Sequence, residues 1–169
     1  MNKLTKQNNS SGCLVCGINN PHSLKTKFYA LKDNSLVAEF NTMEEHQGYP
    51  GVLHGGIAAA ILDETMGRAI LCEDNELCGV TIELNLKYRK QLPIGEKLYA
   101  KAKLVEHHKR YFIATGEIVL SDGKPAVTAT GKFMKLPLSQ ITTGGNFIED
   151  WFLVKDDSEV DLPDYILNR

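Results

Sequence analysis

Residues Gly51–Ile70 read GVLHGGIAAAILDETMGRAI, an odd composition for a helix. The stretch reads as a helix from about Gly55 to Leu71, yet it opens on two glycines. Each weakens a helix by roughly 1 kcal/mol relative to alanine. From Ile57 to Leu62 the stretch is apolar on every side, as in a helix buried on most faces. It then sets Asp63 and Glu64 side by side, and acids in an apolar helix are costly to bury unless something uses them.

The flanking sequence supplies the layer that buries this helix. Upstream, KTKFYALK (Lys25–Lys32) and LVAEFNTM (Leu36–Met43) alternate with period two around the turn DNS, which predicts a hairpin. Pro50-Gly51 suits a type II turn ahead of the helix. Downstream, GVTIELNLKYR, KLYAKAKLVEHH, RYFIATGEIVLSD and PAVTATGKFMKL are four long strands with short connections. Two strands, one buried helix and four strands give an α+β fold: a six-stranded antiparallel sheet wrapped around one long helix.

The chain of 169 residues is long enough for one domain with a sizeable core. A net charge of -2 offers no general attraction to nucleic acid or to an anionic membrane. No apolar run nears the ~18 residues of a membrane span, and the polar start MNKLTKQNNSSGC lacks the apolar core of a secretory signal. A cytoplasmic protein is expected. Residues 1–12 read as a disordered tail and 13–136 as the folded domain. Residues 137–169 read as an extension, LSQITTGG serving as linker before a segment with Trp151, Tyr165 and Ile166 that reads as a helix docked on the domain, with a partner-binding tail as the alternative.

Cys13 and Cys16 have the C-x-x-C spacing of a zinc knuckle or a redox pair. A zinc site needs two further ligands, and Cys72 and Cys78 fall far away in helix and strand contexts. Packing at the domain edge is the preferred reading, with no metal and no cofactor.

A buried helix entered through His54-Gly55-Gly56, with an acid nine residues after the histidine, resembles the PaaI-type hot-dog-fold acyl-CoA thioesterases. The resemblance runs from about Cys13 to Leu136 and includes CLVCGINNPHSL at the N-terminal end. It implies a hot-dog fold, hydrolysis of an acyl-CoA thioester to free acid and CoA, and a homodimer with composite sites or a tetramer. By position it makes Asp63 the catalytic carboxylate and Gly55 the backbone N–H donor to the thioester carbonyl. Thr81 becomes the strand hydroxyl that helps place water or the carboxylate. Some relatives carry Asn in the loop before the glycines, where this chain has Gly48.

The chemistry suits these residue types. A thioester carbonyl gathers negative charge under attack, and a helix N-terminus offers unpaired N–H groups with a favourable dipole. Glycine lets a substrate reach that backbone. A shielded carboxylate can activate water or attack the carbonyl itself. Asp63 lies eight residues beyond Gly55, roughly 12 Å along the axis at 1.5 Å per residue. One helix therefore cannot bring both to one carbonyl, so if both roles hold, two subunits share each site.

Competing roles stay open. Glu64 sits about 100° round the helix from Asp63, so only one of the two faces the site. Gly55 and Gly56 could serve only as a tight helix entry, and His54 is a candidate base or a residue fixing that turn by hydrogen bonds. Lys87, Arg89, Lys90, Lys109 and Arg110 cluster near strand ends, where they could meet the phosphates of CoA. A non-catalytic acyl-CoA-binding or regulatory protein on the same fold is the alternative function. The acyl group is not legible, because two subunits would shape its pocket.

Overall fold

The computed structural model describes residues 4–142, 147–155 and 160–169. Its elements in chain order begin with β1 (Thr5–Lys6), β2 (Asn9–Ser10), β3 (Lys27–Ala30), β4 (Leu36–Asn41), β5 (Gln47–Tyr49) and β6 (Val52–Leu53). Then come helix α1 (Gly55–Gly67) and the long strands β7 (Leu77–Tyr88), β8 (Lys97–His107), β9 (Tyr111–Val119) and β10 (Pro125–Pro137). Short α2 (Phe147–Asp150), β11 (Trp151–Phe152) and α3 (Asp164–Leu167) follow.

The main sheet is antiparallel, in the order β1-β3-β4-β8-β9-β10-β7. It curls around α1, whose Ala58, Ile61, Leu62 and Met66 are buried against Phe28, Phe40, Phe112, Phe133 and Ile118. Fully burying each such side chain contributes about 1.5–3 kcal/mol. That gain pins a helix of 13 residues whose glycines and short length give it little stability of its own. The α+β architecture expected from the strand–helix–strand order is the one observed. The helix is shorter than expected: after Gly67 the chain tightens into a 3-10 turn over Ala69–Cys72. Among the described residues no helix is long and apolar enough to cross a membrane.

The sheet has seven strands rather than six because the N-terminal segment is not a disordered tail from Thr5 onward. Thr5 and Lys6 pair with Ala30 and Tyr29, and Asn9 and Ser10 pair with Phe152 and Trp151. The buried Asn9 amide donates to Cys16 O and Thr26 O, 2.9 Å each, so polar side chains are here the means of attachment. Low hydrophobicity did not reveal this. At the other end, Leu162 and Ile166 of residues 160–169 bury against Tyr29, Val37, Tyr99 and Val119 on the outer face of the sheet. The last three residues of the linker stretch, 143–145, lie outside the described residues.

The close packing of α1 against β7 positions the site. Gly67 and Gly79 meet there, and a Cβ on Gly79 would stand 2.9 Å from Gly67 O and 2.6 Å from Phe112 Cζ. Further along β7 the register against β10 slips, so that Lys132 opposes Glu83 while Phe133 opposes Thr81. This bulge at Ile82 reverses the side-chain parity of the strand. Thr81 before it and Leu84, Leu86 and Tyr88 after it all reach the helix side, and Ile82 is left exposed.

Candidate active site

His54 is the N-cap of α1, and its Nδ1 accepts the Gly56 N–H at 2.9 Å. Ile57 and Ala58 N–H groups bond back to His54 O at 2.9 and 3.2 Å. Of the first-turn donors the Gly55 N–H is left over, with no acceptor among the described residues. Tyr88, from the far end of β7, donates its hydroxyl to Gly55 O at 2.8 Å and fixes the helix entry. These groups border a cavity of about 430 Å³ whose walls include Leu53, Ala58, Leu92 and Val127. It is an apolar cleft ending on exposed backbone.

Two turns along the helix, Asp63 faces a different cavity of about 230 Å³, shared with Thr81, Gly79, Leu138 and Trp151. The Thr81 hydroxyl donates to Asp63 Oδ1 at 2.6 Å. Burial raises the Asp63 carboxyl above the usual carboxylate range, and the neighbouring Glu64 charge adds to this. The Thr81 hydrogen bond opposes the shift by favouring the charged form.

Glu64 borders the same cavity, but both of its carboxylate oxygens are engaged. Its Oε1 takes Arg68 Nε at 2.9 Å and Arg68 Nη2 at 2.8 Å, and its Oε2 takes the Cys13 thiol at 3.1 Å. Arg68 is itself buried, stacked between the Phe28 and Trp151 rings at 4.2 and 4.4 Å. Of the two adjacent acids, Asp63 is the one with an oxygen turned to open space.

The structure separates the remaining expected residues into two groups. Arg89 and Lys90 border the Gly55 cavity, bonded through their N–H groups to Ala126 O at 2.8 and 3.1 Å. Lys109 and Arg110 lie in the β8–β9 turn, where Arg110 O accepts Lys135 N–H. Nine positions of β10 separate Ala126 from Lys135, about 30 Å at strand rise. Within one chain the four cations therefore do not form one cluster. Lys90 is also tied to Asp122 at 3.4 Å. Sequence reasoning missed Tyr88, Arg68 and Trp151. Tyr88 was hidden because strict alternation puts positions 81 and 88 on opposite faces, and only the bulge unites them.

A model of the thioesterase superfamily matches residues 50–127, the span that holds Gly55, Asp63 and Thr81. That span, just under half of the chain, is similar to the thioesterase superfamily. Mouse acyl-coenzyme A thioesterase 13 is 26% identical over 94 residues, 56% of this chain and 67% of that one. Rat acyl-coenzyme A thioesterase THEM4 is 32% identical over 110 residues, 64% of this chain and 46% of its own length. The crystal structure of a thioesterase superfamily protein, 29% identical, superposes with a TM-score of 0.67 over 72% of this chain and 62% of that chain. The chain thus spans from about half to two thirds of these proteins. The superfamily's fold, as expected from the helix-entry motif, is the one this chain adopts.

Proposed function

We propose that this protein hydrolyses acyl-CoA thioesters at sites shared between two copies of the chain. The observation that carries the reading is the half-buried Asp63, oriented by Thr81 at 2.6 Å and open to a cavity on its other side. Two relatives named as acyl-coenzyme A thioesterases support the substrate class.

In this mechanism the thioester carbonyl lies against the N-terminus of α1. Its oxygen accepts the Gly55 N–H, which stabilises the negative charge formed on attack. Asp63 from the partner copy either draws a proton from a water that adds to the carbonyl carbon, or adds to that carbon itself to form an anhydride that water then opens. In both routes the C–S bond breaks, the CoA thiolate leaves and the free acid is released. Thr81 holds Asp63 Oδ1, so Oδ2 remains for the water or the carbonyl carbon. His54 orients the helix entry rather than acting as base, because its Nδ1 already accepts the Gly56 N–H.

The need for a partner follows from geometry. The Gly55 and Asp63 cavities share no residue, and roughly 12 Å of helix separates the two groups. Strand β7 lies at the edge of the sheet, twelve residues long, with Ile82 and Tyr88 more than half exposed. A long unpaired edge with apolar side chains is a pairing surface, and a second copy about a two-fold axis would cover it. Antiparallel apposition sets each Gly55 near the other copy's Asp63. It also brings the Lys109 and Arg110 end of one chain toward Arg89 and Lys90 of the other, around the phosphates of CoA.

Mixing two inactive variants tests the arrangement. Asp63→Asn removes the acid, and Gly55→Val sets a branched side chain over the N–H. Each alone should lose hydrolysis of acyl-CoA. Heterodimers refolded from the mixture should recover about half the wild-type activity, because one of their two sites is intact. Verified heterodimers without activity would overturn the shared-site reading.

A further inference from the structure

Away from the hydrolytic groups, the CLVCG segment forms a specific local structure. Residues 13–17 make one helical turn closed by Gly17 N–H to Cys13 O at 2.9 Å. Only glycine fits its end, since a Cβ on Gly17 would stand 2.2 Å from Cys13 O. The turn sets Cys13 and Cys16, three residues apart, on one side. Their sulfurs lie within 4.8 Å of each other and of a Glu64 oxygen.

The two thiols have different surroundings. Cys13 is partly exposed, and the N–H groups of Val15 and Cys16 point at its sulfur from 3.3 and 3.5 Å. Such donors stabilise a thiolate, the reactive form. The hydrogen bonds from the Cys16 side chain and the Cys16 N–H lower the Cys13 thiol below its usual range, against burial and the Glu64 charge and hydrogen bond. Cys16 is fully buried, with Arg68 Nη2 at 3.1 Å and Ser10 N–H at 3.4 Å from its sulfur. It keeps its proton while Cys13 is reduced, since the bond to Cys13 and burial both raise its thiol. The same three groups could be read as ligands for a cation, but the Arg68 guanidinium already sits on Cys16 and Glu64. A fixed positive charge there opposes a divalent ion.

We propose that Cys13 and Cys16 are a reversible dithiol–disulfide site, with Cys13 the attacking thiol and Cys16 the resolving one, that reacts with low-molecular-weight disulfides. The Cys13 thiolate attacks one sulfur of such a disulfide, the S–S bond breaks, and one small thiolate leaves. Cys16, deprotonated beside Arg68, then attacks the Cys13 sulfur and expels the second small thiolate. The dithiol loses two electrons to the small disulfide, and the protons from Cys13 and Cys16 end on the two released thiols. Glu64 and Arg68, which hold this pair, are also walls of the Asp63 cavity.

The test is a redox titration of the whole protein in mixtures of reduced and oxidised glutathione, followed by alkylation and peptide mass mapping. It reads thiols and so is independent of any thioester activity. The expected result is one two-electron step that links Cys13 to Cys16 while Cys72 and Cys78 stay alkylatable. In the reduced protein Cys13 should alkylate about tenfold faster than those two. Cys16→Ala should stop at a glutathione adduct on Cys13. Reduced Cys13 and Cys16 in oxidised glutathione alone, or oxidation of Cys72 or Cys78 in the same step, would overturn the proposal. So would stoichiometric zinc in the purified protein that is lost in Cys13→Ser.

Discussion

The contact between Gly67 and Gly79 makes Gly79→Ala an informative substitution. The new methyl would stand 2.6 Å from Phe112 Cζ, 3.0 Å from Phe112 Cε1 and 2.9 Å from Gly67 O. Carbon atoms pack best about 3.5–4.0 Å apart, so the ring must retreat by about an ångström or the end of α1 must lift. The ring cannot retreat easily. Phe112 is fully buried and stacked on Phe133 with centroids 5.1 Å apart. Overfilling a packed core costs about 1–3 kcal/mol, and two unyielding neighbours put this case at about 2–3. For a chain of this size each kcal/mol lowers Tm by about 2–4 °C, so calorimetry should show a drop of about 4–12 °C. Gly12→Ala, with nothing within 4 Å of the added methyl, is the comparison and should leave Tm unchanged. Lifting the helix end also draws Asp63 from Thr81, so acyl-CoA hydrolysis should fall in the folded protein at low temperature. A Gly79→Ala protein that melts with the wild type would refute the reasoning, because the gap would then have room for a methyl.

Asp63→Asn should lower acyl-CoA hydrolysis by about 10²- to 10⁴-fold, while Glu64→Gln, whose partners are Arg68 and Cys13, should retain a larger share; steady-state rates decide between them. Burial raises the Asp63 carboxyl, so the native state keeps that proton to higher pH than the unfolded chain, and stability falls as pH rises through that interval. Asp63→Asn should therefore melt higher than wild type at neutral pH, a gain that fades as pH drops toward the ordinary aspartate value of about 4. Thr81→Val removes the donor that favours the charged carboxylate, and its activity–pH profile should lose activity on the acid side at a higher pH than wild type. Lys101, buried on the sheet, donates to Ile166 O at 3.2 Å and Arg169 O at 2.7 Å. Bonds from a charged donor contribute about 1.5–3 kcal/mol, so Lys101→Met should speed hydrogen exchange at Ile166–Asn168 by about 10- to 100-fold.

The four long strands were legible because their alternation is long, and each observed strand begins and ends within three residues of its expected place; the helix was legible through its long apolar run. Asp63 was legible through its spacing from His54, and the resemblance supplied Thr81. What escaped has local physical causes. The bulge at Ile82 leaves no compositional mark, so Tyr88 could not be assigned to the helix side. Attachment of the N-terminal segment depends on Asn9 and on backbone pairing, which hydropathy does not register. The partnership of Glu64 with Arg68 and Cys13 joins positions 51 residues apart, and only tertiary structure brings them together. How the four cations are divided likewise depends on strand register, not on their order in the chain.

Helix α1 is held very differently at its two ends. At Gly67 it lies against strand backbone so closely that a methyl on the facing Gly79 would stand 2.9 Å from Gly67 O, whereas a Cβ at Gly55 would meet the Tyr88 ring at an ordinary 3.5 Å. The helix is in effect a cantilever, clamped beside the acid and free where the exposed N–H looks into the apolar cleft. Tolerance to mutation should follow the same gradient. Side chains lining the cleft near Gly55, such as Leu92 and Val127, can be exchanged to reshape it without moving Asp63. Changes near Gly67 and Gly79 shift the whole rod, so a directed-evolution library aimed at new substrates belongs at the free end.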